Sequence, residues 1–308
     1  MDERAGRGGS RPLARLAMLA SGVCFGLMAV LARRLSRGPD HFSAGQLTVV
    51  RFVFGAAASL AYFRLSPGIY RPVNRRLLFS RGISGGLVVV LYFSALSRIP
   101  AGEASLLYNL FPVIATVMSF FIFGERPTAH LVTALGVATA GVGLVLAGDP
   151  GAARLGAGLG LGELLALGAA FFAATSAVVI RAMRATDNAP TIFFWFCLGG
   201  MPVALPFALG PWPGGREAWL AAAALGAVSM AAQVLMTEAY GALSVAEAAV
   251  WLQLTPLATY LMAVPLLGEH PTAVGLAGVV LGVAGVAYAS VLGHAPRPRP
   301  ERAPQPGR

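Results

Sequence analysis

Arg51 is the side chain whose type and position point most directly to chemistry, because it lies inside an apolar run. At 1.5 Å per helical residue it stands roughly 12 Å along that run. A charge at such a depth in hydrocarbon costs on the order of 2.5 to 3.5 kcal/mol even on lenient insertion scales, so the guanidinium must face a cavity or a partner. We expect it either to attract a carboxylate or phosphate group of a ligand, or to act as a strut that bonds to carbonyl oxygens at a helix end.

Two amides, Asn109 and Gln253, form a second set of candidates for ligand binding. Each lies three residues before a proline, Pro112 or Pro256, and helical positions i and i+3 share one face. Since a proline removes a backbone hydrogen bond of the preceding turn, the amides could satisfy the freed carbonyl oxygens or each other. Alternatively they could hydrogen-bond a substrate. The two prolines are predicted hinges.

Four aromatic side chains could line a pocket for a large apolar substrate. They are Trp251, Trp195, Tyr92 and Tyr108. A Tyr or Trp near the end of an apolar run is also the usual anchor at a membrane interface. Both interpretations stay open at this point.

Two glutamates, Glu238 and Glu163, are candidates for binding and releasing a coupling proton. Glu238 ends an apolar run, and the alternative is a simple interfacial position. Glu163 opens a helix, where a carboxylate suits the positive end of the helix dipole.

Enzymatic chemistry is poorly supported. All 23 basic residues are arginine, so mechanisms that need lysine, such as Walker-type phosphate binding and Schiff-base formation, are excluded. The histidines lie at the ends of apolar runs or in the tails, and no group of His, Cys, Asp and Glu has the spacing of a metal site. We therefore predict no metal, no cofactor and no enzyme. The alternative, a polytopic membrane enzyme acting on a lipid-linked substrate, would need clustered polar groups at one membrane face.

A duplicated segment positions most of these candidates. Residues 103–129, EASLLYNLFPVIATVMSFFIFGERPTA, return without a gap as residues 247–273, EAAVWLQLTPLATYLMAVPLLGEHPTA. The offset is 144 residues. It pairs Asn109 with Gln253 and Pro112 with Pro256, and it pairs Arg51 with Trp195. A repeat of this length indicates two copies of one structural unit.

Composition predicts that the units span a membrane. Hydrophobic residues make up 56% of the chain and charged residues 12%, against about 25% charged residues in a soluble domain. Apolar runs of roughly 20 residues are long enough to cross the hydrocarbon layer. We predict an all-α polytopic membrane protein with ten transmembrane helices. The predicted spans are 13–32, 43–63, 77–97, 101–122, 129–148, 159–180, 190–209, 218–238, 245–267 and 272–292.

The spans divide into two five-helix repeats. We predict a first repeat at 13–148 and a second at 159–292, joined by a Gly-rich linker at 149–158. A short tail, 1–12, precedes them. The Pro- and Arg-rich tail, 293–308, has the composition of a disordered segment.

The arginines predict the orientation. If the N-terminus is cytoplasmic, most of them fall on the cytoplasmic side, including a group from Arg64 to Arg81 counted as one loop, as the positive-inside rule requires. Both termini are then cytoplasmic. Because each repeat has an odd number of spans, the second must lie inverted, which is the usual build of secondary transporters with a site near the midplane. Membrane orientation accounts for the net charge of +10, so we predict no nucleic-acid partner.

The chain resembles the EamA-type branch of the drug/metabolite transporter superfamily. The resemblance rests on Arg51-Phe52, on residues 95–113, on the Gly-Glu pairs after the fourth and ninth spans, and on Gly162-Glu163. It covers nearly the whole chain up to about Leu292. One departure is visible: Phe25 and Phe172 stand where the family usually has Trp in the first and sixth helices.

The resemblance implies a ten-helix carrier, and an exporter more than an importer. We expect a secondary transporter of a small organic metabolite or drug-like molecule in the bacterial inner membrane, working by alternating access. Glu238 and Glu163 add the hypothesis that transport is coupled to protons. Its partners are a small-molecule substrate and the lipid bilayer, with a homodimer left open. A purely structural membrane protein would instead show a dry interface between the copies and a fully ion-paired Arg51.

Overall fold

The structure is a computed structural model of the 308-residue chain. It describes residues 11–36, 41–96, 98, 104, 107–147, 160–268 and 270–292. The predicted linker, the predicted C-terminal tail and most of the predicted N-terminal tail lie outside these residues, so their predicted character is not tested.

The described chain is helical throughout and contains no strand within the described ranges. In chain order the α-helices are α1 Arg11–Leu35, α2 Ala44–Leu65, α3 Arg75–Leu96, α4 Phe111–Phe123, α5 Ala129–Ala147, α6 Leu161–Met183, α7 Ala189–Ala204, α8 Arg216–Ala239, α9 Val245–Leu252, α10 Leu254–Leu267 and α11 Ala273–Leu292. A short 3₁₀ turn, Leu205–Phe207, extends α7.

Eight segments of the described chain are long and apolar enough to cross a membrane. One of them, 245–267, consists of α9 and α10 together. The prediction of an all-helical membrane protein is therefore confirmed, whereas the count of ten spans is not. Two predicted spans have no counterpart among these eight segments: the described part of 101–122 holds α4, which has only 13 residues, and 77–97 corresponds to the 22-residue α3.

Local sequence signals explain where several helices begin and end. Ser43 caps α2 in a reciprocal pair with Gln46, and the hydroxyl of Ser244 accepts the backbone N–H of Glu247 at the start of α9. Helices α4 and α10 each end at a glycine in the left-handed region, Gly124 with φ of 64° and Gly268 with φ of 68°. Glycine is the residue that adopts this conformation without steric cost.

Both segments that were predicted to bend are broken just before their prolines. Gln253 lies in a turn between α9 and α10, and Asn109 and Leu110 form a turn after the helical residues Leu107 and Tyr108. A proline cannot donate the hydrogen bond that would continue the helix. Interrupted helices of this kind are tolerated at membrane depth only where they face protein or a cavity.

Packing between the helices recurs at the offset of 144. Helix α1 packs on α8 as α6 packs on α3, and α2 packs on α7. At that last contact the sequence-related rings of Phe52 and Phe196 meet edge to face with centroids 5.1 Å apart. The contact therefore joins two residues that correspond to each other at the 144-residue offset.

Helices α5 and α11 also contact each other at positions related by the offset of 144, and their contacts are made at glycines. A Cβ on Gly141 would overlap the backbone nitrogen of Gly282, and one on Gly285 would lie 2.7 Å from the backbone nitrogen of Ala138. Gly285 lies 144 residues after Gly141, and Ala138 lies 144 residues before Gly282, so the two contacts correspond to each other in the duplicated sequence. In these contacts the residue numbers increase along α5 while they decrease along α11, so the two helices are antiparallel. Because Gly278 and Gly282 are used inside the chain in this way, their Gly-x-x-x-Gly motif is not a free face for dimerisation.

The outer surface is apolar. Large hydrophobic side chains such as Phe121, Leu209 and Val280 are 76%, 82% and 70% exposed. In water such a surface would drive aggregation, whereas in a bilayer it contacts lipid.

The glycine contact predicts opposite effects for two substitutions in α5. Gly141→Ala forces the helices apart, and overpacking of this type costs typically about 1 to 3 kcal/mol. Gly136 on the same helix has nothing within 4 Å of the position that a methyl group would occupy, so Gly136→Ala should be neutral or stabilising, because alanine favours a helix by up to about 1 kcal/mol over glycine. Thermal unfolding of the purified variants measures both. Equal unfolding temperatures for the two variants would contradict the tight α5–α11 contact.

Candidate functional site

Arg51 is half-buried and is the eighth residue of α2. Its Nε donates a hydrogen bond of 2.8 Å to the hydroxyl of Ser229 on α8. The same side chain borders a cavity of about 180 Å³ between α1, α2 and α8 that includes Met28, Thr48 and Leu225 in its wall. Arg51 thus faces a cavity and one neutral partner, and no ion pair to it forms within the described part of the chain. The fully ion-paired Arg51 of a purely structural protein is absent there.

A second arginine, Arg81, lies inside the bundle and was not predicted as a site residue. The topology count placed it in a cytoplasmic loop, but it is only 4% exposed and belongs to α3. Its Nη2 donates to Oε1 of Gln233 on α8 at 3.2 Å, and its guanidinium carbon lies 4.0 Å above the ring of Phe196. Its Nε is buried without a hydrogen-bond partner. A sequence signal was present, since Arg81 falls inside the predicted span 77–97.

Glycines make the room for this buried guanidinium. A Cβ on Gly85, one turn beyond Arg81 on α3, would lie 2.5 Å from Nη1 of Arg81 and would overlap the ring of Phe196. On the neighbouring turn Gly82 packs against Gly199 of α7. Any larger residue at position 85 would displace the arginine from the ring.

Gln253 lies at the break between α9 and α10 and is fully buried. Its amide nitrogen donates to the hydroxyl of Thr139 on α5 at 2.8 Å, while its Oε1 has no partner. The nearby Nε1 of Trp251 and Oγ1 of Thr255 are also buried without partners. Unsatisfied polar atoms are rare in protein interiors, and a group of them at a broken helix indicates a place for a bound molecule or ordered water.

The helix break before α4, which corresponds in the duplicated sequence to the break at Gln253, contains Asn109 and lies beside Tyr108 and Tyr92. Asn109 and both tyrosines are half-buried. The rings of Tyr92 and Tyr108 lie 5.0 Å apart, and Tyr108 continues the stack to Phe111 at 5.4 Å. The predicted candidates Asn109, Tyr108 and Tyr92 therefore lie close together around one helix interruption. Pro112 is buried at the second residue of α4.

Trp195 lies between two parts of the hydrophobic core. It is half-buried in α7 and contacts both the core cluster around α6 and the phenylalanine cluster of α2 and α7. Its Nε1 is buried without a partner. Trp251 likewise contacts two core clusters, so neither tryptophan is an anchor at the outer edge of the fold.

The two predicted coupling glutamates have different surroundings. Glu238 is 47% exposed at its side chain and pairs with Arg184 at 2.7 Å. Glu163 accepts the backbone N–H of Gly160 at 2.9 Å and so caps its own helix. Glu163 thus has the capping role that was the alternative, whereas Glu238 makes an ion pair in a partly exposed position.

Further ion pairs join the helices at one end of the bundle. Arg15 near the start of α1 contacts Glu247 at the start of α9 at 2.7 Å and also donates to the carbonyl of Ser290 on α11. Arg181 near the end of α6 donates to Glu125 after α4 at 3.3 Å. The other oxygen of Glu125 accepts the backbone N–H of Val245 at 3.1 Å. The sequence gives no local sign of these contacts of Glu125, because its partners are far away in the chain.

Comparison with known families identifies related sequences. The EamA-like transporter family model matches residues 13–147 and again residues 160–291. The chain is 28% identical over 233 residues to the pseudopaline exporter CntI of Pseudomonas aeruginosa, an alignment that covers 73% of this chain and 80% of the relative. It is 35% identical over 195 residues to the aromatic amino acid exporter YddG of Ancylobacter novellus, covering 58% of this chain and 64% of that protein.

A solved crystal structure shares the fold. Its TM-score is 0.77 at 24% sequence identity, and the superposition covers 92% of this chain and 99% of the other. The helical arrangement described above is therefore one that occurs in a protein solved by experiment.

Two ion pairs of equal length predict different losses of stability. The carboxylate of Glu247 is 2% exposed and that of Glu238 is 47% exposed, with both pairs at 2.7 Å. Glu247→Gln leaves Arg15 without its buried counter-charge, and loss of one partner of a buried pair costs on the order of 3 to 5 kcal/mol. Glu238→Gln removes a solvent-screened pair worth about 0 to 1 kcal/mol. Thermal unfolding in the same detergent compares them, and a larger loss for Glu238→Gln would show that burial does not rank these contacts.

Proposed function

The chain belongs to the EamA-like transporter family, and from this membership we propose that it is a secondary transporter that carries a small organic molecule across the bacterial inner membrane by alternating access. The observation that carries this proposal is the polar centre of the bundle. Arg51 borders a cavity, and Gln253, Trp251 and Trp195 each keep a buried polar atom without a partner. A substrate that passes through the bundle is the simplest partner for these groups.

The substrate class follows from the chemistry of this centre. A guanidinium such as that of Arg51 binds carboxylates through paired, charge-assisted hydrogen bonds. The stacked rings of Tyr92, Tyr108 and Phe111 at the interrupted helix favour an apolar body. Relatives of this chain are named as exporters of pseudopaline and of aromatic amino acids, and an aromatic amino acid combines a carboxylate with an apolar ring. A small organic acid with an apolar part, moved outward, is therefore the proposed cargo.

The architecture that we propose is a pair of inverted five-helix repeats, residues 13–148 and 159–292. Support comes from the contacts that recur at the 144-residue offset, in particular the antiparallel crossing of α5 and α11 with its two related glycine contacts. In secondary transporters built this way, one repeat rocks against the other around a site near the midplane. Pro112 and Pro256 mark the interrupted helices that would bend.

The cytoplasmic side is the closed side in this proposal. The ion pairs Arg15–Glu247 and Arg181–Glu125 join helices of different proposed repeats, and both lie at the end where α1 begins and α11 ends. If both termini are cytoplasmic, as the arginine distribution predicts, these pairs close the inner mouth. Opening it requires that the two pairs separate.

Proton coupling is the final part of the proposal, with Glu238 as the carboxylate. It lies at the inner end of α8, it is partly exposed to water, and protonation would release Arg184. Glu163 is a weaker candidate because its carboxylate caps α6.

Transport by reconstituted protein tests the function and the role of Arg51. Wild-type proteoliposomes are expected to exchange radiolabelled phenylalanine or a related organic acid, and an imposed pH gradient should drive net movement.

Arg51→Gln should lower the rate at least tenfold, because uncompensated desolvation of the carboxylate opposes binding. Arg216→Gln, at the exposed first residue of α8, is the matched control. Transport that ignores the pH gradient would remove proton coupling alone, and equal rates for Arg51→Gln and wild type would remove Arg51 from the site.

Hydrogen exchange tests the closure of the inner mouth. Glu125→Ala removes the acceptor of the Val245 backbone N–H and the partner of Arg181, so the segment at the start of α9 should exchange its amides faster. Glu217→Ala, an exposed carboxylate in the first turn of α8, should leave that segment unchanged. Exchange mass spectrometry on detergent-solubilised protein resolves the peptides concerned. Unaltered protection around Val245 in Glu125→Ala would show that this contact does not hold the inner side closed.

A further inference from the structure

Two guanidinium groups, not one, lie inside this bundle. Arg51 and Arg81 come from α2 and α3, which are consecutive in the chain and both pack against α7, and neither forms an ion pair within the described part of the chain. Their partners are neutral: the Ser229 hydroxyl for Arg51, and the Gln233 amide oxygen and the Phe196 ring for Arg81. Two positive charges therefore remain uncompensated in a region of low dielectric constant, where charge is least tolerated.

The two guanidinium groups donate hydrogen bonds to side chains on successive turns of one helix, α8. Ser229 and Gln233 are four residues apart on α8, so they share one face, and one helical turn separates them by about 5 Å along the axis. The ring of Phe196, over which the Arg81 guanidinium lies, also meets the ring of Phe52, the residue that follows Arg51, with centroids 5.1 Å apart. Arg51 and Arg81 consequently belong to one region of the bundle and not to two separate sites.

Arg81 retains a buried hydrogen-bond donor that has no acceptor. It is only 4% exposed, yet its Nε is unpartnered. An aromatic face stabilises a cation without neutralising it, so the contact with Phe196 leaves the full charge in place. A strut would be expected to donate to backbone carbonyl oxygens or to a carboxylate, whereas the hydrogen-bond acceptor of Arg81 among the described residues is the side-chain amide of Gln233.

We propose that the substrate carries two anionic groups, namely two carboxylates a few carbon atoms apart, one held by Arg51 and the other by Arg81. This inference rests on the proposed transport function and adds the charge of its cargo. A ligand with two carboxylates balances both guanidinium groups at once and can pair with each through charge-assisted hydrogen bonds. A single phosphate dianion brings the same charge but concentrates it at one point, whereas the cations are anchored a helical turn apart.

Matched ligands test the number and spacing of the anionic groups. The probes share one phenyl ring: phenylsuccinate has two carboxylates, its monomethyl ester and hydrocinnamate have one, and phenyl phosphate has a single dianionic group. Binding to the purified full-length protein is measured by titration calorimetry at constant ionic strength. We expect phenylsuccinate to bind at least tenfold more tightly than each of the other three. Equal affinity for the diacid and the two monoacids overturns the proposal, and so does tighter binding of phenyl phosphate.

Variants assign the second carboxylate to Arg81. Arg81→Gln should reduce phenylsuccinate affinity at least tenfold while leaving hydrocinnamate within threefold of wild type, and Arg81→Lys should recover part of the loss. Arg216→Gln is the control and should change neither. Unchanged phenylsuccinate affinity in folded Arg81→Gln overturns the assignment. If Arg81→Gln fails to fold, the wild-type comparison of phenylsuccinate with its monomethyl ester still decides the charge of the ligand.

Transport separates this inference from the function on which it rests. Proteoliposomes that move phenylalanine but show no preference for diacids would retain a transporter and remove the two-anion site. Proteoliposomes that move none of the compounds, from a protein that still binds phenylsuccinate, would retain the site and count against transport.

Discussion

Hydrocarbon cannot hydrate a charge or an unpaired amide, and the centre of this bundle contains both. Arg51 and Arg81 lie there with neutral partners only among the described residues, and the break at Gln253 leaves polar atoms unsatisfied. Each such group is unfavourable unless protein, water or a ligand completes its hydrogen bonds. The apolar exterior and the close helix packing supply the stability that allows this polar centre to persist. The proposed site is thus the place where the fold is least favourable without a ligand.

Close backbone approach is the second physical feature of the fold. Glycines at Gly141, Gly282 and Gly285 bring α5 against α11, and Gly82 and Gly199 bring α3 against α7. Membrane helices gain little from hydrophobic burial against one another, because lipid is equally apolar, so van der Waals contact between small residues has to hold them. The same small residues serve the site, since Gly85 leaves the space that the Arg81 guanidinium occupies. The ion pairs Arg15–Glu247, Arg181–Glu125 and Arg184–Glu238 instead lie together at one end of the bundle.

Sequence reasoning anticipated much of the fold and part of the site. Arg51 lies about one-third along its helix, as its place in the apolar run predicted, and the helices are interrupted before Pro112 and Pro256. That these prolines act as hinges stays a prediction. Arg81 was misassigned because an arginine close to the start of an apolar run is also what a cytoplasmic loop contains. The Glu125–Arg181 and Arg15–Glu247 contacts were missed because their partners lie far apart in the chain, and no local spacing indicates such pairs. The roles of the site residues in transport stay predictions.

The amino-acid sequence by itself determined that the chain is an all-helical membrane protein with a duplicated segment, because apolar length and the 144-residue echo are local, one-dimensional properties. It also determined where helices stop, since proline, glycine and capping serine act on their own turn. The tertiary structure alone decided which polar groups meet. Whether Arg81 faces water, lipid or Phe196 depends on how α3 rotates against α7 and α8, and that rotation is set by contacts between glycines and rings on different helices. Partnership between distant residues is a property of packing, and packing involves the whole bundle at once.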